Sequence, residues 1–377
     1  MPEITVRAKS KTYPVYINEF ALEDIREKWT KNLAKFSHVF VLTDGHVAEL
    51  HKAKLDAVLA DLPVVTYYVA PNGEEAKTFR VYEDVMTKMI ETGLDRKAVL
   101  IAFGGGVIGD LGGFVAATYM RGIPFYQVPT TVLAHDSAVG GKVAINHPLG
   151  KNMIGNFYQP EAVIYDTQFF ATLPEREMRS GFAEMIKHTL ISDLTLLRAL
   201  MDTFTEPKDF YTKDLTPFLQ RGIEIKANIV AQDETEQGVR AYLNFGHTFG
   251  HALEAYGNFG KWLHGEAITY GMIYALTMSE TIYGLDFDLV EFKTWLEQLG
   301  YDTTFDASVP FSKILENMRH DKKTTFNEIS MVLLEEIGKP VIFKADDDLI
   351  FETYKRVMRK GGKMSFESDS RGNDNRN

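Results

Sequence analysis

Short, largely apolar runs alternate with amphipathic stretches over the first half of the chain. The runs with the length of a strand lie at 38–42 (HVFVL), 64–69 (VVTYYV) and 98–103 (AVLIAF), with weaker ones at 125–128 and 162–165. Continuous apolar runs suit strands that are buried on both faces, as in a parallel sheet covered by helices. Between them, the stretch 76–92 keeps its large apolar residues at helical spacing. This alternation predicts βαβ units and an α/β fold with a mainly parallel sheet.

The pattern changes near Pro174, beyond which few strand-like runs occur before residue 299. Helical patterns lie at 177–192, 215–232, 245–256, 264–283 and 289–299, and a β-rich piece at 328–334 precedes a last helix at 346–358. We predict an α/β domain over 1–178, an all-α domain over 179–358 and a polar, disordered tail over 359–377. Two domains also suit the length of 377 residues, at roughly 100–200 residues per domain.

The composition excludes several classes of function. With 52 acidic and 41 basic residues, the formal charge of -11 lacks the basic field of a non-specific nucleic-acid binder. The absence of cysteine excludes a disulfide framework, a thiolate metal site and a cysteine nucleophile. No run approaches the ~18 consecutive apolar residues of a membrane span, and the segment 1–3 (MPE) does not open a signal peptide. We therefore expect a cytoplasmic protein that binds neither nucleic acid nor a membrane.

A glycine-rich turn follows the third predicted strand and opens a predicted helix. Within FGGGVIGD (103–110), Gly104, Gly105, Gly106 and Gly109 allow a tight turn and a close approach of the backbone to a ligand. The amide groups at the start of the helix would face an anion. The spacing differs from the usual GxGxxG, so a plain strand-to-helix turn is the alternative. We predict a cradle for a pyrophosphate.

Two more segments of the first half have both a structural and a binding interpretation. Asp44 follows the first clear strand, where an acid can hydrogen-bond a ribose hydroxyl. The same residue could equally form a turn with the glycine after it. The segment 72–77 (NGEEAK) is likewise either a turn before a helix or a contact with a cofactor.

Basic residues near paired glycines form a second group. Lys142 follows two glycines, and Asp136 precedes it. Lys142, Lys151 and Arg121 could together hold one phosphate, although each of them alone could be a solvated surface cation. Asp136 among these cations would remain ionised and could accept hydroxyl protons from a polyol.

Histidines form the strongest local feature of the chain. His247, His251 and His264 fall within 18 residues. His247 and His251 share a face if the segment is helical, and His264 opens the next predicted helix, so a helix hairpin could return it beside His247. Converging imidazoles indicate a divalent metal, with zinc favoured. Neutral imidazoles are required, so metal occupancy should fall in acid.

The third ligand of such a site is open on spacing alone. A catalytic zinc takes three protein ligands and keeps one open position, and the third ligand could be a carboxylate. Glu184, Glu254 and Glu266 are all candidates. An isolated histidine pair on a helix is more often structural, but three histidines in a segment punctuated by glycines favour a metal.

Cations also gather around this region of an acidic chain. The cations are Lys187, Lys226 and Arg240, on the predicted helices and turns next to the histidines, and the neutral amide of Asn244 lies beside them. Such a concentration of positive charge fits a polyanionic substrate better than a neutral one.

Together these features resemble the 3-dehydroquinate synthase family, over nearly the whole chain from about residue 38 to about residue 340. The motifs that carry the resemblance are GGGVIGD (104–110), YMRG (119–122), VPTT (128–131), VGGK (139–142), LGKN (149–152), GFAEMIK (181–187) and LNFGHTFGHALE (243–254). The resemblance implies a Rossmann-like N-terminal domain and a helical, metal-binding C-terminal domain. It also implies NAD and one divalent metal, zinc or alternatively cobalt, as cofactors.

The implied reaction converts 3-deoxy-D-arabino-heptulosonate 7-phosphate to 3-dehydroquinate and phosphate, in the shikimate route to aromatic amino acids. In this family NAD transiently oxidises a ring hydroxyl, phosphate leaves by elimination, the hydride returns, and an opened ring closes in an aldol step. Such an enzyme is a carbon–oxygen lyase that shows no net oxidation.

Site residues carried over from the family fall into three sets. The implied metal ligands are Glu184, His247 and His264. The implied NAD contacts are Asp44, Asn72, Gly73, Glu74, Lys77, Gly106, Val107, Ile108, Gly109, Asp110, Thr130, Thr131, Lys142, Lys151, Phe169 and Thr172. The implied substrate contacts are Asp136, Lys142, Asn152, Lys187, Lys226, Arg240, Asn244 and His251, with Lys322 or Lys323 as a further one. Arg121 resembles an arginine that reaches the phosphate in the neighbouring subunit, which implies a homodimer.

Three other interpretations stay open at this point. Another sugar phosphate cyclase, such as an amino-dehydroquinate, valiolone-type or inosose-type synthase, would keep the fold and change the substrate. Lys226 and Arg240 favour a substrate with a carboxylate, which the amino analogue would also have. A polyol dehydrogenase such as glycerol dehydrogenase would release NADH and would need no phosphate site. A binding protein without activity would leave the histidines and the glycine turn without a purpose.

Overall fold

A computed structural model of the chain describes residues 3–305, 308–321 and 329–358. The strands in these ranges are β1 (Glu3–Arg7), β2 (Thr12–Asn18), β3 (Val39–Asp44), β4 (Val65–Ala70), β5 (Val99–Gly104), β6 (Phe125–Pro129), β7 (Lys142–His147), β8 (Gly150–Phe157), β9 (Ala162–Asp166), β10 (Ile329–Glu336) and β11 (Lys339–Ala345). The predictions about the tail 359–377 and about Lys322 and Lys323 lie outside the described residues.

The α-helices in the same ranges are α1 (Ala21–Leu33), α2 (Gly45–Leu59), α3 (Phe79–Glu91), α4 (Gly106–Thr118), α5 (Ala134–Ser137), α6 (Glu175–Leu190), α7 (Leu194–Thr203), α8 (Asp209–Thr212), α9 (Thr216–Gln232), α10 (His247–Tyr256), α11 (His264–Tyr283), α12 (Leu289–Gln298), α13 (Phe311–Asp321) and α14 (Asp347–Met358). None of these helices combines the length and the apolar character that a membrane crossing requires.

A seven-stranded sheet organises the first half, in the order β1-β2-β9-β6-β5-β3-β4. All neighbouring pairs run parallel except β1 and β2. The predicted α/β fold with a mainly parallel sheet is therefore confirmed. From β3 the chain moves outward to β4 and then crosses to β5 on the other side of β3. This reversal opens a crevice at the carboxyl ends of β3 and β5, which is where ligands bind in open α/β sheets.

The burial of the strands explains their sequences. Every residue of β5, β6 and β9 is buried, because helices cover both faces of the central sheet. The edge strand β4 is mostly half-buried. The glycine-rich helix α4 packs closely on this sheet: a Cβ on Gly112 would lie 2.8 Å from the Cβ of Ala102 in β5.

One hydrophobic core joins the sheet to the helical second half. It includes Val15 and Val163 of the sheet, Phe182 of α6, Leu219 of α9 and Ile268 of α11. The predicted boundary at residue 178 falls inside α6, which begins directly after Pro174. The division into two domains stays a prediction.

Antiparallel hairpins account for most of what the sequence patterns missed. β7 pairs with β8, and β10 pairs with β11. Only β10 was predicted, as the β-rich piece at 328–334, so the helical half also contains a two-stranded sheet. β8 has no fully buried residue, and such a strand lacks the apolar run that indicates a buried one.

Local backbone geometry sets the start of α10. The sequence predicts this helix from residue 245, but it begins at His247. Gly246 has a left-handed φ of 78°, and a Cβ there would lie 2.9 Å from Met272. Glycine is the residue that tolerates both constraints, so His247 becomes the first residue of the helix.

Candidate active site

The crevice at the carboxyl edge of the sheet gathers several predicted cofactor contacts. Asp44 ends β3, Gly104 ends β5, and Thr130 follows β6. The amide of Thr130 donates a hydrogen bond to the Gly104 carbonyl at 3.1 Å, which joins two of the three strand ends. Asp44 accepts a hydrogen bond from the Val47 amide at 3.0 Å and caps α2. The turn-forming role of Asp44 is thus present, and its contact with a ribose stays a prediction.

The glycine turn brings the backbone close to its neighbours. A Cβ on Gly105 would lie 3.0 Å from Thr131 Cγ2, and a Cβ on Gly106 would lie 2.9 Å from Ser137 Oγ. Gly105 precedes α4, and no side chain in the described residues caps that helix. Uncapped amide groups at a helix start suit an anion. The first turn also contains the predicted contacts Val107, Ile108, Gly109 and Asp110. The turn therefore fits the pyrophosphate of a dinucleotide.

Lys77 links α4, which follows the glycine turn, to the β7–β8 hairpin. Its side chain is buried, and Nζ lies 2.6 Å from Asp110 Oδ2 and also donates to Asn152 Oδ1. Burial raises the pKa of Asp110, and the Lys77 charge opposes that rise. Lys151 pairs with Glu74 at 3.2 Å. Several predicted contacts from 72–77, α4 and the β7–β8 hairpin thus form one polar group.

Other predicted cofactor contacts have different surroundings. Phe169 is buried in the core against Phe103, with ring centroids 5.6 Å apart. Thr172 Oγ1 lies 2.8 Å from His51 Nε2. Asn72 Oδ1 accepts from the His46 amide at 3.0 Å, and Gly73 has a left-handed φ of 69°.

Glu184, His247 and His264 converge from three helices. Glu184 lies on α6, while His247 and His264 are the first residues of α10 and α11. Glu184 Oε1 lies 3.6 Å from His247 Nε2 and 3.4 Å from His264 Nε2. One ligand atom from each residue lies within 4.8 Å of the others. The structure thus brings the three predicted metal ligands together, and their ligation of a metal stays a prediction.

The hydrogen bonds behind the two imidazoles support a cation at this point. His247 Nδ1 lies 3.1 Å from the Phe245 carbonyl, which accepts, so Nδ1 carries the proton and Nε2 is bare. Glu184 Oε1 is buried without a hydrogen-bond partner in the described residues. A bare nitrogen and a carboxylate oxygen that face each other repel unless a cation lies between them. Nitrogen and oxygen donors of this kind suit zinc or cobalt.

The geometry distinguishes the three carboxylates that spacing left open. Glu254 Oε2 lies 3.2 Å from His264 Nδ1, on the far side of that ring from Glu184. Glu266 pairs with Arg176 at 2.7 Å and accepts from the Leu263 amide at 2.9 Å. Glu184 is therefore the carboxylate that faces both Nε2 atoms, and Glu254 supports His264 from behind, as carboxylates commonly do for metal-bound histidines.

The charges of the imidazoles follow from burial and partners. Burial lowers the pKa of His247 well below its usual value, and the Lys187 charge adds to this. Burial also opposes a charge on His264, but the neighbouring carboxylates of Glu184 and Glu254 outweigh burial and raise the His264 pKa to about 10. A cation at this site would therefore displace a proton from His264. The His251 ring lies 5.1 Å from that of His247, beside these residues.

Asp136 lies in contact with a second group of predicted site residues. Its Oδ1 lies 3.1 Å from Lys226 Nζ and 3.7 Å from Lys187 Nζ. Lys187 also pairs with Glu184, so this group adjoins the metal candidates. Burial opposes the charge of Asp136, but Lys187 and Lys226 hold its pKa well below the usual value. Burial lowers the Lys226 pKa to about 8. His188, which the sequence analysis missed, donates to the same Asp136 oxygen.

Arg240 and its neighbours form a third group. Arg240 is fully buried, and its Nη2 donates to the Gly140 carbonyl at 3.0 Å. Glu236 accepts from Asn244 at 2.7 Å and pairs with Lys142. No motif of the sequence pointed to Glu236, which has a left-handed φ of 58° in the loop before Arg240.

Arg121 stands apart from these groups. It is exposed in the turn Tyr119–Arg121 that follows α4, and its φ of 70° is left-handed. Within the described ranges no hydrogen bond links it to Asp136 or Asn152. The structure does not bring it together with the other predicted phosphate contacts of the same chain.

Comparison with known proteins identifies the family. A model described as the 3-dehydroquinate synthase N-terminal region matches residues 67–180, and one described as its C-terminal region matches residues 181–324. The chain is 98% identical to the 3-dehydroquinate synthase of Listeria monocytogenes over 364 residues, which cover 97% of this chain and 100% of that protein.

Solved structures share the fold over almost the full length. A 2-deoxy-scyllo-inosose synthase complexed with carbaglucose-6-phosphate, NAD+ and Co2+ is 26% identical, with a TM-score of 0.82 over 94% of this chain and 99% of that one. A 2-epi-5-epi-valiolone synthase from Streptomyces hygroscopicus, with NAD+ and Zn2+ bound, is 23% identical and has a TM-score of 0.83 over 93% and 97% of the two chains. The likeness to the valiolone synthase concerns the fold alone. The motifs, the two family matches and the 98% identity to the Listeria monocytogenes protein show that the chain belongs to the 3-dehydroquinate synthase family.

Proposed function

We propose that this protein converts 3-deoxy-D-arabino-heptulosonate 7-phosphate to 3-dehydroquinate and phosphate, with NAD and one divalent cation as cofactors. The observation that carries the proposal is the position of α5. Ser137 of this short helix lies against Gly106 of the glycine turn, and Asp136 faces Lys187 and Lys226 beside Glu184. Four consecutive residues thus join the nucleotide cradle to the cluster of candidate metal ligands.

The cofactors supply the chemistry that no side chain of this protein can perform. When bound, NAD would take up and return a hydride at one hydroxyl carbon, and the cation, zinc or cobalt, would polarise the oxygen on that carbon. Glu184, His247 and His264 would hold the cation. The amide groups at the start of α4 would hold the pyrophosphate of NAD.

Substrate hydroxyl groups would meet Asp136, Lys187 and Lys226. Because two cations keep Asp136 ionised, its carboxylate accepts hydrogen bonds from hydroxyl groups. Lys226, whose pKa burial lowers to about 8, can carry or release a proton near neutral pH. His251 lies beside the metal candidates and could relay a proton as well.

Anionic groups of the substrate would meet the remaining cations. Arg240 uses both terminal nitrogens on backbone carbonyls, while its Nε is buried without a partner in the described chain. A guanidinium has five N–H groups, so it could bind a carboxylate as well. Lys142 and Asn152 would hold the phosphate, with Arg121 supplied by a second copy in a homodimer. Fixed cations stabilise a leaving phosphate without a covalent intermediate.

One assay tests the proposal directly. The protein is incubated with NAD, zinc and the heptulosonate phosphate, and inorganic phosphate and the absorbance of NADH are followed together. We expect stoichiometric phosphate with no accumulation of NADH, since the hydride returns in every turnover. Accumulating NADH without phosphate would indicate a polyol dehydrogenase instead. A hexose 6-phosphate without a carboxylate is the control, and equal turnover of it would indicate another cyclase.

A further inference from the structure

Two histidines that the proposed reaction does not use lie behind Asp136. His135 precedes Asp136 in α5, and His188 lies on α6, one helical turn after Glu184. Both side chains are fully buried. Their rings meet edge to face, with centroids 5.2 Å apart and planes at 85°.

Hydrogen bonds fix the proton on each ring. His188 Nε2 lies 3.0 Å from Asp136 Oδ1, and the carboxylate accepts, so Nε2 carries the proton. His135 Nδ1 lies 2.7 Å from the Val132 carbonyl, which also accepts. Burial lowers the pKa of both imidazoles, to about 3 for His135, so each ring carries one proton. The other nitrogen of each ring is therefore a bare acceptor.

The two bare nitrogens face one small space beside Gly222 of α9. An ideal Cβ on Gly222 would lie 3.1 Å from His188 Nδ1 and 3.5 Å from His135 Nε2. Neither nitrogen has a hydrogen-bond partner in the part of the chain that the structure describes. Two buried lone pairs that face one space require a donor with two hydrogens, and a water molecule has both.

We propose that His188 is a positioning residue for Asp136, fixed in its Nε2–H form by one water that it shares with His135. Asp136 Oδ1 accepts a hydrogen bond from His188 Nε2 at 3.0 Å, and its two lysine partners lie farther away, Lys226 at 3.1 Å and Lys187 at 3.7 Å. The aromatic donor is rigid, whereas the lysine is a flexible chain. His188 therefore sets the direction in which the carboxylate presents itself to the substrate. This inference rests on the proposed function, in which Asp136 contacts the substrate.

Substitution of His188 provides the kinetic test. His188→Phe keeps a ring but removes the donor, and we expect kcat to fall about 10- to 100-fold, the effect of one charge-assisted hydrogen bond. His188→Gln keeps an amide donor at a similar reach and should recover most of this loss. Zinc affinity and the KM for NAD should stay unchanged in both variants. A wild-type kcat in His188→Phe would overturn the proposal, as would a His188→Gln variant as slow as His188→Phe.

A matched control removes a histidine elsewhere. His38 lies just before β3, and its Nε2 lies 2.9 Å from Thr66 Oγ1. His38→Phe also replaces a histidine by phenylalanine and loses one side-chain hydrogen bond, here to a neutral hydroxyl, and we expect kcat to remain at the wild-type value. An equal loss of kcat in His38→Phe and His188→Phe would reduce the effect to general destabilisation and would overturn the proposal.

A spectroscopic test does not depend on turnover. In protein with ¹⁵N-labelled histidine, long-range ¹H–¹⁵N spectra show which ring nitrogen carries the proton, and His188→Phe identifies the signals. We expect the proton of His188 on Nε2, and a proton on Nδ1 would overturn the proposal. If the protein releases no phosphate from the heptulosonate phosphate, the proposed function fails, while this spectrum still judges the role of His188.

Gly222→Ala tests the shared water. The added methyl group enters the space between the two bare nitrogens, yet alanine favours a helix over glycine. We expect kcat to fall about tenfold because the bridge between the rings is lost, in a protein whose circular-dichroism spectrum remains that of the wild type. An unchanged kcat in Gly222→Ala would overturn the shared water.

Discussion

The candidate cation site and the candidate phosphate site are built in opposite ways. Glu184 Oε1 already lies within 3.6 Å of the Nε2 atoms of both His247 and His264, and the three helices involved share one core. Lys142 and Arg121 lie on a hairpin and in an exposed turn, and Lys142 pairs with Glu236. The first site is formed in advance, whereas the second must exchange partners to receive a phosphate. Rigid elements hold a catalytic centre, and mobile side chains accommodate the group that leaves.

The largest effect should come from breaking the formed site. His247→Ala removes one of three ligands, so the cation is lost and turnover should fall at least about 1,000-fold, since a bound cation contributes several kcal/mol. Metal content after dialysis and phosphate release under substrate saturation are the two measurements. Full activity in a metal-depleted His247→Ala preparation would refute the site.

The pH dependence of cation binding is a second test of the candidate cation site. In the cation-free protein the pKa of His264 is raised to about 10, so at neutral pH a cation must displace a proton. Affinity should therefore increase with pH, about tenfold per unit, until the pH reaches that pKa, and should fall in acid. Zinc titrations between pH 6 and 9, in buffers of different ionisation enthalpy, measure both the slope and the proton released. A flat profile would contradict this arrangement.

Arg240 combines properties of both sites. It is buried, as the candidate cation ligands are, and it already has hydrogen-bond partners, two backbone carbonyls, just as Lys142 already has Glu236. Arg240→Ala should raise KM and lower kcat, with a loss in kcat/KM of about 10- to 100-fold, since a carboxylate loses a charged partner. Arg240→Lys separates charge from the fork geometry of the guanidinium. Melting temperatures of both variants control for the lost bonds to backbone carbonyls. Unchanged kinetics would remove Arg240 from the site.

The smallest expected signal is a partial recovery of activity in mixed dimers, which tests whether a second copy of the chain completes the phosphate site. Arg121→Ala and His247→Ala should each be inactive alone. If Arg121 acts in the neighbouring subunit, mixed dimers contain one intact site, and random exchange should restore about a quarter of wild-type activity. Phosphate release after co-refolding measures this recovery. No recovery, with heterodimers demonstrated by differential tags, would place Arg121 in its own subunit or outside the site.

The same contrast explains how far the sequence could predict the site. His247, His251 and His264 lie within one short segment, and the glycine turn follows an apolar strand, so local patterns reveal them. Spacing alone left Glu184, Glu254 and Glu266 open, and the family resemblance pointed to Glu184. The packing of α6 and α10 against α11 is what makes Glu184 the carboxylate that faces both Nε2 atoms.

The fold divides along a similar line. Continuous apolar runs in the sequence indicate buried parallel strands such as β5. The predicted helices at 177–192, 215–232 and 264–283 match α6, α9 and α11 closely. The exposed hairpin of β7 and β8 has no such signal, because its stability comes from pairing between strands and from contact with α4. Glu236 and His188 were missed for a related reason: a single polar residue in the sequence does not reveal what it faces.

The four-residue helix α5 fixes the angle between the side chains of Asp136 and Ser137 as well as what each of them contacts. Adjacent residues of a helix point about 100° apart, and here Asp136 faces Lys187 and Lys226 while Ser137 faces Gly106 of the glycine turn. In the proposed function, the geometry of this single helical turn would therefore set the relative orientation of substrate and NAD. A one-residue insertion between them would rotate one molecule's contact away from the other, so this turn should tolerate changes of side chain far better than changes of length.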